Sequence, residues 1–440
     1  YNSLELSLKT VSENHKFRAF YKIFIEGGTS VKRKIISKFC LAFLLSLSLI
    51  LSVFSSVQAA EFPSSWPQAP EIAEETGILM EATTGQVLFD KGMDEIRYPA
   101  STTKIMTALL ILENVKDLSQ TVTFTDVITP DLAPGNSTIN AQVGERLTVE
   151  ECLYGIMLAS ANEVCTQMAV YVAGSVQNFV SMMNTRAAEL GCENTHFVNA
   201  NGLPDPDHYT TAHDLARILA EAIQNEDFCK ISVSAAYTIP PTNMTPYSRN
   251  LENTNALIKE GEYHYEGVIA GKTGHTEAAK NTLVTAASRD GMTLVCVVLR
   301  SDGESRFIDT VGLFNYGFDN FHLSPVYWLD SENPSGYVTL PKGIESNVLT
   351  VTDSDDENTR TRTYTYQGTA LYSLQASLPV LLEPTDSAEN TQTSSLYRIK
   401  GPDHLLPGMI GIFAVLFLAE CFLLGYNIHS KKNTIEEISQ

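Results

Sequence analysis

Residues 282–299, TLVTAASRDGMTLVCVVL, decide the fold of this chain. Two apolar runs, 282–288 and 292–299, flank the dipeptide Asp290-Gly291. Asp-Gly is favoured in two-residue turns because both central residues of such a turn take positive φ. The stretch therefore predicts an antiparallel β-hairpin.

The pattern on either side of this hairpin predicts how the sheet is completed. Upstream, residues 76–90 form a second hairpin pattern that turns at Thr84-Gly85. Apolar residues at helical spacing fill much of the chain between the hairpins and follow the second one. The helical segments are 101–113, 148–159, 163–173 and 306–318. This order predicts an α+β fold, an α/β sandwich in which helices cover an antiparallel sheet and an all-helical subdomain is inserted between its second and third strands.

The region that follows has a different composition. Short β-like runs at 336–340, 347–352 and 361–366 predict a small separate β domain over residues 324–383. Residues 384–403 are poor in apolar side chains and rich in Ser, Thr and Asn, which is typical of a linker.

The N-terminal part carries a targeting pattern. Basic residues precede an apolar run, 39–57, that ends in the small-residue sequence Val57-Gln58-Ala59. This arrangement is typical of a secretory signal peptide, so residues 31–60 are predicted to be one, with an uncleaved anchor as the alternative.

The first 30 residues have a different interpretation. Glu26-Gly27-Gly28 can be encoded by GAAGGAGG, a ribosome-binding sequence, and Val31 follows at a spacing suited to a GTG start codon. Residues 1–30 are therefore predicted to be untranslated leader and not protein.

A second long apolar segment, 405–426, has about the roughly 20 residues that a membrane-spanning helix needs. Lys431 and Lys432 follow it and favour a cytoplasmic tail, residues 427–440. The alternative is a buried core helix. The topology predicts a single-pass protein of the cell membrane, held in lipid by this helix, with its main domain outside the cytoplasm.

Composition excludes some classes of function. The formal charge of −21 over 440 residues argues against a nucleic-acid partner, because nothing would neutralise phosphates. The seven cysteines form no CxxC pair, so the sequence indicates no metal or redox site.

Three short motifs carry the candidate chemistry: Ser101-Thr102-Thr103-Lys104, Ser160-Ala161-Asn162 and Lys272-Thr273-Gly274. Each alone has an ordinary structural interpretation, namely an N-cap, a loop and a surface strand end. Together, each falls at a suitable element: a helix start, a helix–helix junction and a strand.

The first motif pairs a hydroxyl with an amine. Residues i and i+3 share a helix face, so Lys104 can reach Ser101 Oγ. A serine hydroxyl needs a base before it acts as a nucleophile. Burial and a second cation, Lys272, favour the neutral form of Lys104 that can serve as that base. We therefore expect these three residues to converge.

The three motifs in this order resemble the penicillin-recognising serine enzymes, a class with β-lactamase/transpeptidase-like folds. Over residues 73–321 the chain is most similar to the low-molecular-weight D-Ala-D-Ala carboxypeptidases of peptidase family S11. Further segments add to this resemblance. They are Tyr98-Pro99-Ala100-Ser101, Asn199-Ala200-Asn201-Gly202-Leu203, Thr210-Thr211-Ala212-His213-Asp214-Leu215 and Gly271-Lys272-Thr273-Gly274-His275-Thr276.

The resemblance implies a role for each site residue. Ser101 becomes acylated by a peptidoglycan stem peptide ending in D-Ala-D-Ala, or by a β-lactam, with Lys104 as base. Ser160 and Lys272 relay a proton, and Asn162 holds the substrate amide. The backbone N–H groups of Ser101 and His275 stabilise the oxyanion. Thr273 and Arg249 bind the terminal carboxylate. Gly274 permits close approach of the substrate backbone, and no cofactor is implied.

Alternatives share the same motifs. A class A β-lactamase needs a water-activating glutamate, and no clear Glu-x-x-Leu-Asn segment lies between Asn162 and Lys272. A D,D-endopeptidase or transpeptidase remains open, because the motifs do not specify the acyl acceptor. A catalytically silent wall-binding or penicillin-sensing protein is disfavoured by the intact Ser101, Lys104 and Lys272.

Overall fold

The computed structural model describes residues 63, 65–328, 331, 333–356 and 359–377. Five strands in this part of the chain form one antiparallel sheet. They are β1 (Thr76–Glu81), β2 (Val87–Lys91), β7 (Val268–Thr276), β8 (Lys280–Arg289) and β9 (Met292–Ser301). Their order is β2-β1-β9-β8-β7, so β7 lies at one edge of the sheet.

The central hairpin forms where the sequence predicts it. Asp290 and Gly291 both have positive φ, 51° and 80°, as a two-residue turn requires. The predicted hairpin is therefore confirmed, and each strand is longer than its apolar run.

Alternate residues of the sheet face two hydrophobic cores. On β9, Leu294, Cys296 and Val298 pack in one core with the helix α7 (Ser305–Asn320). Their neighbours on the same strand pack in the other core with α1 (Lys104–Asn114) and α5 (Ala212–Ala222). Because both faces are buried, the strand reads as a continuous apolar run. The predicted antiparallel sheet covered by helices is confirmed.

The segment between β2 and β7 is mainly helical. Besides α1 and α5 it contains α2 (Val149–Met157), α3 (Asn162–Ala173), α4 (Val176–Glu189) and α6 (Glu226–Ser232). Thr148 opens α2, close to where the sequence predicts a helix start, with a capping box: its side chain accepts from Glu151 N, and the Glu151 side chain accepts from Thr148 N.

The expectation of an all-helical insertion is wrong. The inserted segment also contains two short antiparallel ribbons. In the first, β3 (Thr121–Thr123) pairs with β4 (Arg146–Thr148), and in the second, β5 (Ala236–Ile239) pairs with β6 (Arg249–Glu252). Strands of three or four residues are too short for a recognisable alternation of apolar and polar side chains.

Two small sheets follow α7. The first pairs β10 (Phe321–Val326) with β11 (Gly336–Pro341). The second contains β12 (Thr350–Asp355), β13 (Thr359–Tyr366) and β14 (Thr369–Ser377). Gln86 ties β11 to the β1–β2 connection, because its side-chain amide exchanges hydrogen bonds of 2.9 and 3.0 Å with the backbone of Thr339.

The predicted leader, signal peptide, linker, spanning helix and tail lie outside the described residues. Within the described ranges, no helix is both long and apolar enough to cross a membrane.

Candidate active site

Ser101 lies in a 3-10 helix, Ala100–Thr103, that leads directly into α1. Ala100 has a φ of 50°, a strained value for a residue with a Cβ. The hydroxyls of Thr102 and Thr103 donate to Pro99 O and Ala100 O, which holds this turn in place. Of the three consecutive hydroxyl residues, Thr102 and Thr103 are buried and Ser101 is partly exposed.

Lys104 is fully buried directly after this turn. Its Nζ lies 3.0 Å from Ser101 Oγ, 2.8 Å from Asn162 Oδ1 and 2.5 Å from Asn201 O. The two carbonyl oxygens can only accept hydrogen bonds, whereas the Ser101 hydroxyl can also donate one. A neutral amine has two N–H groups and one lone pair, so this geometry fits a neutral Lys104 that receives the Ser101 proton.

The electrostatics favour the same state. Burial lowers the pKa of Lys104, although the nearby carboxylates of Glu163 and Asp131 act in the opposite direction. Burial costs a charged amine more than a neutral one, which is why this pKa falls.

Lys272 is brought to the same place from β7. It is 1% exposed, and burial followed by the charge of Lys104 lowers its pKa to about 7. Its Nζ donates to Thr273 O at 2.9 Å. The Lys104 amine is thus close enough to Lys272 for its charge to disfavour a second cation.

The second motif forms the junction between α2 and α3. Ser160 has a φ of 59°, a left-handed conformation uncommon for serine. Its Oγ is buried without a hydrogen-bond partner in the described part of the chain. Unpartnered buried hydroxyls are rare in native proteins, so this group is free to accept or pass on a proton. Asn162 begins α3 and reaches Lys104 as described.

The edge strand β7 presents backbone groups to the site. Gly271 donates its N–H to Ser232 Oγ at 2.9 Å and accepts from the same hydroxyl at 3.1 Å. Ser232 belongs to α6, on the side of β7 away from β8. Because backbone groups of alternate residues share one side of a strand, those of Thr273 and His275 also face away from β8. The N–H of His275 therefore points away from the neighbouring strand β8.

Gly274 brings β7 against the nucleophile turn. A Cβ at this position would lie 2.9 Å from Ser101 N and 2.4 Å from Thr282 Oγ1, both shorter than real Cβ contacts. The missing side chain therefore allows the strand to pass close to the Ser101 amide.

The remaining predicted residues differ in placement. Thr273 Oγ1 lies 2.5 Å from Thr254 Oγ1, and exposed His275 contacts Asn281 through Nδ1 at 3.1 Å. In the described part of the chain, Arg249 shares no hydrogen bond with the other predicted site residues. Its guanidinium pairs with the fully buried Glu145 at 2.6 Å and donates to Ile139 O. This gives Arg249 a structural partner and leaves the expected carboxylate contact without geometric support.

The segment 199–203 holds two residues to which the sequence assigned no role. The backbone of Asn201 accepts from Lys104, and its side chain donates to Asp131 Oδ1 at 3.1 Å. A Cβ on Gly202, which has a φ of 86°, would lie 1.9 Å from Ala100 O. The Asn-Gly dipeptide was the available signal, since it favours a tight turn. Asp131 itself has no recognisable motif.

The arrangement supplies a hydroxyl with a base, a second amine of lowered pKa, an unpartnered hydroxyl and a Ser101 backbone amide close to the edge strand β7. These are the components of acyl transfer through a serine ester. Among the described residues, no group of three or more His, Cys, Asp and Glu side chains is arranged to hold a metal ion.

Comparison with known proteins points in the same direction. The family model Peptidase_S11, D-alanyl-D-alanine carboxypeptidase, matches residues 64–303. D-alanyl-D-alanine carboxypeptidase DacF of Bacillus subtilis is 36% identical over 262 residues, which cover 58% of this chain and 66% of that protein. A D-alanyl-D-alanine carboxypeptidase of Streptomyces sp. K15 is 35% identical over 269 residues, covering 58% and 91%.

Solved structures are similar as well. The crystal structure of the Streptomyces K15 DD-transpeptidase has 34% identity and a TM-score of 0.54, covering 57% of this chain and all of that one. Penicillin binding protein 5 from Haemophilus influenzae has 25% identity and a TM-score of 0.60, covering 70% and 97%.

Proposed function

The chain belongs to the D-alanyl-D-alanine carboxypeptidase family, Peptidase_S11, and on this premise we propose that it removes the terminal D-Ala from peptidoglycan pentapeptides. The reaction passes through an acyl-enzyme on Ser101, and β-lactams acylate the same hydroxyl.

In the first step, neutral Lys104 takes the Ser101 proton while Oγ attacks the carbonyl carbon of the penultimate D-Ala. Negative charge then develops on the carbonyl oxygen. The N–H groups of Ser101 and His275 stabilise this charge, a contribution of roughly 3 kcal/mol for each donor.

In the second step, the peptide C–N bond breaks and the leaving D-Ala nitrogen receives a proton. The proton that Lys104 took from Ser101 reaches this nitrogen through Lys272 and the Ser160 hydroxyl, whose lack of a fixed partner suits a relay, and Lys104 becomes neutral again. Asn162 holds the substrate amide. Water, deprotonated by Lys104, then hydrolyses the ester to release the tetrapeptide and restore Ser101.

One observation carries this proposal. Lys104 Nζ contacts two acceptors that cannot donate and one hydroxyl that can, which suits a buried base poised against Ser101.

The test uses the full chain in detergent, with a D-Ala-D-Ala-ended pentapeptide and a fluorescent penicillin. We expect D-Ala release and slowly decaying labelling of the tryptic peptide that contains Ser101. Ser101→Ala should abolish both while retaining the circular dichroism spectrum. Labelling that survives this substitution contradicts the assignment, and rapid penicillin turnover supports a β-lactamase.

A second candidate function on the same site is transpeptidation, because one similar structure is described as a DD-transpeptidase. The acyl acceptor distinguishes the two reactions. Adding a free amino-acid acceptor to the pentapeptide assay and measuring exchanged product against released tetrapeptide separates them.

We also propose that the catalytic domain acts outside the cytoplasmic membrane. The apolar segments 39–57 and 405–426 and the basic residues beside them support this topology. Protease treatment of intact spheroplasts should digest the catalytic domain and spare a C-terminal tag.

A further inference from the structure

A cavity lies beside the turn that joins β7 to β8. Its volume is about 330 Å³, and its lining includes Glu75, Arg97, Tyr98, Tyr209, Ala278 and Arg300. Tyr98 is three residues from Ser101, and Ala278 belongs to the turn that follows β7. Residues that line the cavity are therefore close in sequence to the catalytic residues, but none of the catalytic residues lines it.

The charged groups in this cavity are of both signs. Arg300 Nε donates to Glu75 Oε1 at 2.7 Å, and Arg97 Nη2 lies 3.6 Å from Glu75 Oε2. The side chains of Arg97, Arg300 and Glu75 are 22%, 36% and 45% exposed, so each remains accessible from the cavity. Glu75 thus lies between two guanidinium groups, and Arg97 Nη2 also bonds to the exposed Glu95 at 2.5 Å.

The guanidinium groups retain hydrogen-bonding capacity. Arg300 donates through Nε to Glu75 and through Nη1 to Ala278 O, which leaves its Nη2 available among the described contacts. Arg97 donates through Nη1 to Ile96 O and through Nη2 to Glu95 Oε2, and each of these two nitrogens carries a second N–H. Arg300 also has a φ of 61°, and such strained backbone concentrates at functional sites. The cavity therefore offers donors for a carboxylate and an acceptor for an ammonium.

The direction of β7 relates this cavity to the substrate. In the proposed reaction the terminal carboxylate lies near Thr273 and the scissile carbonyl near His275. The stem peptide then continues along β7 toward the turn at 277–279. Ala278 is three residues beyond His275, so the two lie at most about 10 Å apart, roughly the reach of one further peptide residue with a long side chain.

We propose that this cavity binds the side chain of the third stem-peptide residue when that side chain ends in an amino-acid head group. The class of ligand is a zwitterion, as in 2,6-diaminopimelate. Its carboxylate contacts Arg97 and Arg300, and its ammonium contacts Glu75. This assignment rests on the proposed function and adds a preference for one class of substrate.

The test compares two pentapeptides that end in D-Ala-D-Ala and differ only at the third residue, one with 2,6-diaminopimelate and one with lysine. For the full chain we expect kcat/KM to be about tenfold higher for diaminopimelate, since guanidinium–carboxylate bonds are charge-assisted. Arg300→Ala should reduce this ratio to within about twofold. Arg146→Ala, an exposed arginine on β4, is the matched control and should keep the ratio.

A substrate change tests the same idea without altering the protein. Amidation of the side-chain carboxylate of diaminopimelate should remove the preference in the unaltered chain. No preference between the first two peptides, or a preference that survives amidation, overturns the assignment. Penicillin labelling separates the two proposals: an unlabelled chain contradicts the proposed function, whereas a labelled chain without preference contradicts only the cavity assignment.

Discussion

Asn201 links the catalytic base to a buried carboxylate: its backbone oxygen accepts from Lys104 at 2.5 Å, and its side-chain amide donates to Asp131 Oδ1 at 3.1 Å. Asp131 is 7% exposed and also accepts from Thr166 Oγ1 at 2.5 Å. Through Asn201, Asp131 fixes the carbonyl that orients Lys104. Its charge also opposes the loss of the Lys104 proton.

Asp131→Asn should therefore change the pH dependence of acylation. An asparagine keeps both hydrogen bonds, because its oxygen accepts from Asn201 and its amide donates to Thr166. Only the negative charge is lost, so the pKa of Lys104 falls further. We expect the acid limb of the penicillin acylation rate to move to lower pH by up to about one unit.

Stopped-flow acylation measured against pH checks this expectation. Asp117→Asn, an exposed aspartate outside the site, is the control and should leave the profile in place. An unmoved acid limb in Asp131→Asn would mean that Asp131 acts only through packing.

Gly274→Ala tests the close contact between β7 and the nucleophile turn. The added methyl meets Ser101 N and Thr282 Oγ1, so strand and turn must separate. Since this moves the two oxyanion donors apart, acylation should slow by about 10²-fold or more. The control is Gly312→Ala in α7, where nothing lies within 4 Å of an added Cβ. It should acylate normally and gain up to about 1 kcal/mol of stability. Near-normal acylation of Gly274→Ala would contradict the oxyanion assignment.

Burial of Lys272 should lower stability in a pH-dependent way. Its pKa is about 7 in the folded protein, against 10.5 for an ordinary lysine. Between these values the unfolded chain binds more protons, so this lysine's contribution makes stability rise with pH. Below pH 7 both states are protonated and the full burial penalty applies.

Lys272→Met removes that penalty. We expect it to raise the free energy of unfolding below pH 7 by several kcal/mol, at roughly 1.4 kcal/mol per pKa unit, and the gain to vanish near pH 10.5. Urea unfolding at pH 6 and pH 9 measures the difference, while the penicillin acylation rate should drop. A gain that is equal at the two pH values would indicate packing and not charge as its cause.

Local signals account for what the sequence predicts about the fold. The Asp290-Gly291 turn and the Thr148 capping box depend on residues within four positions, so they appear where the sequence places them. The ribbons β3–β4 and β5–β6 depend on pairing across the connections 124–145 and 240–248, which carry no two-residue turn signal. The sequence of such a short strand does not indicate which other strand it pairs with.

The residues of the active site likewise include some that the sequence identifies and some that it does not. Residues that act through side chains of distinctive chemistry, such as Ser101, Lys104 and Lys272, stand out as motifs. Asn201 acts on Lys104 through a backbone carbonyl, which every residue possesses. The guanidinium of Arg249 can bind a substrate carboxylate, but the sequence does not show that this guanidinium already pairs with Glu145.

The Arg249–Glu145 pair provides a final test. Glu145 is fully buried and Arg249 is 10% exposed at the side chain. Burial alone raises the pKa of Glu145, but hydrogen bonds from Thr242 and Gln142 and the charge of Arg249 bring it below the ordinary value. The carboxylate is therefore ionised in the folded protein and depends on its partner.

Arg249→Met should destabilise the fold by about 3 kcal/mol or more, because it leaves a buried charge without its cation. The loss should diminish at low pH as Glu145 becomes protonated. Adding Glu145→Gln should recover part of it, since the glutamine oxygen can accept from Gln142 N while its uncharged amide donates to Thr242 Oγ1. Thermal unfolding of the two single variants and the double variant gives the coupling energy. An unaltered melting temperature for Arg249→Met, together with a raised KM for the pentapeptide, would instead assign this arginine to the substrate carboxylate.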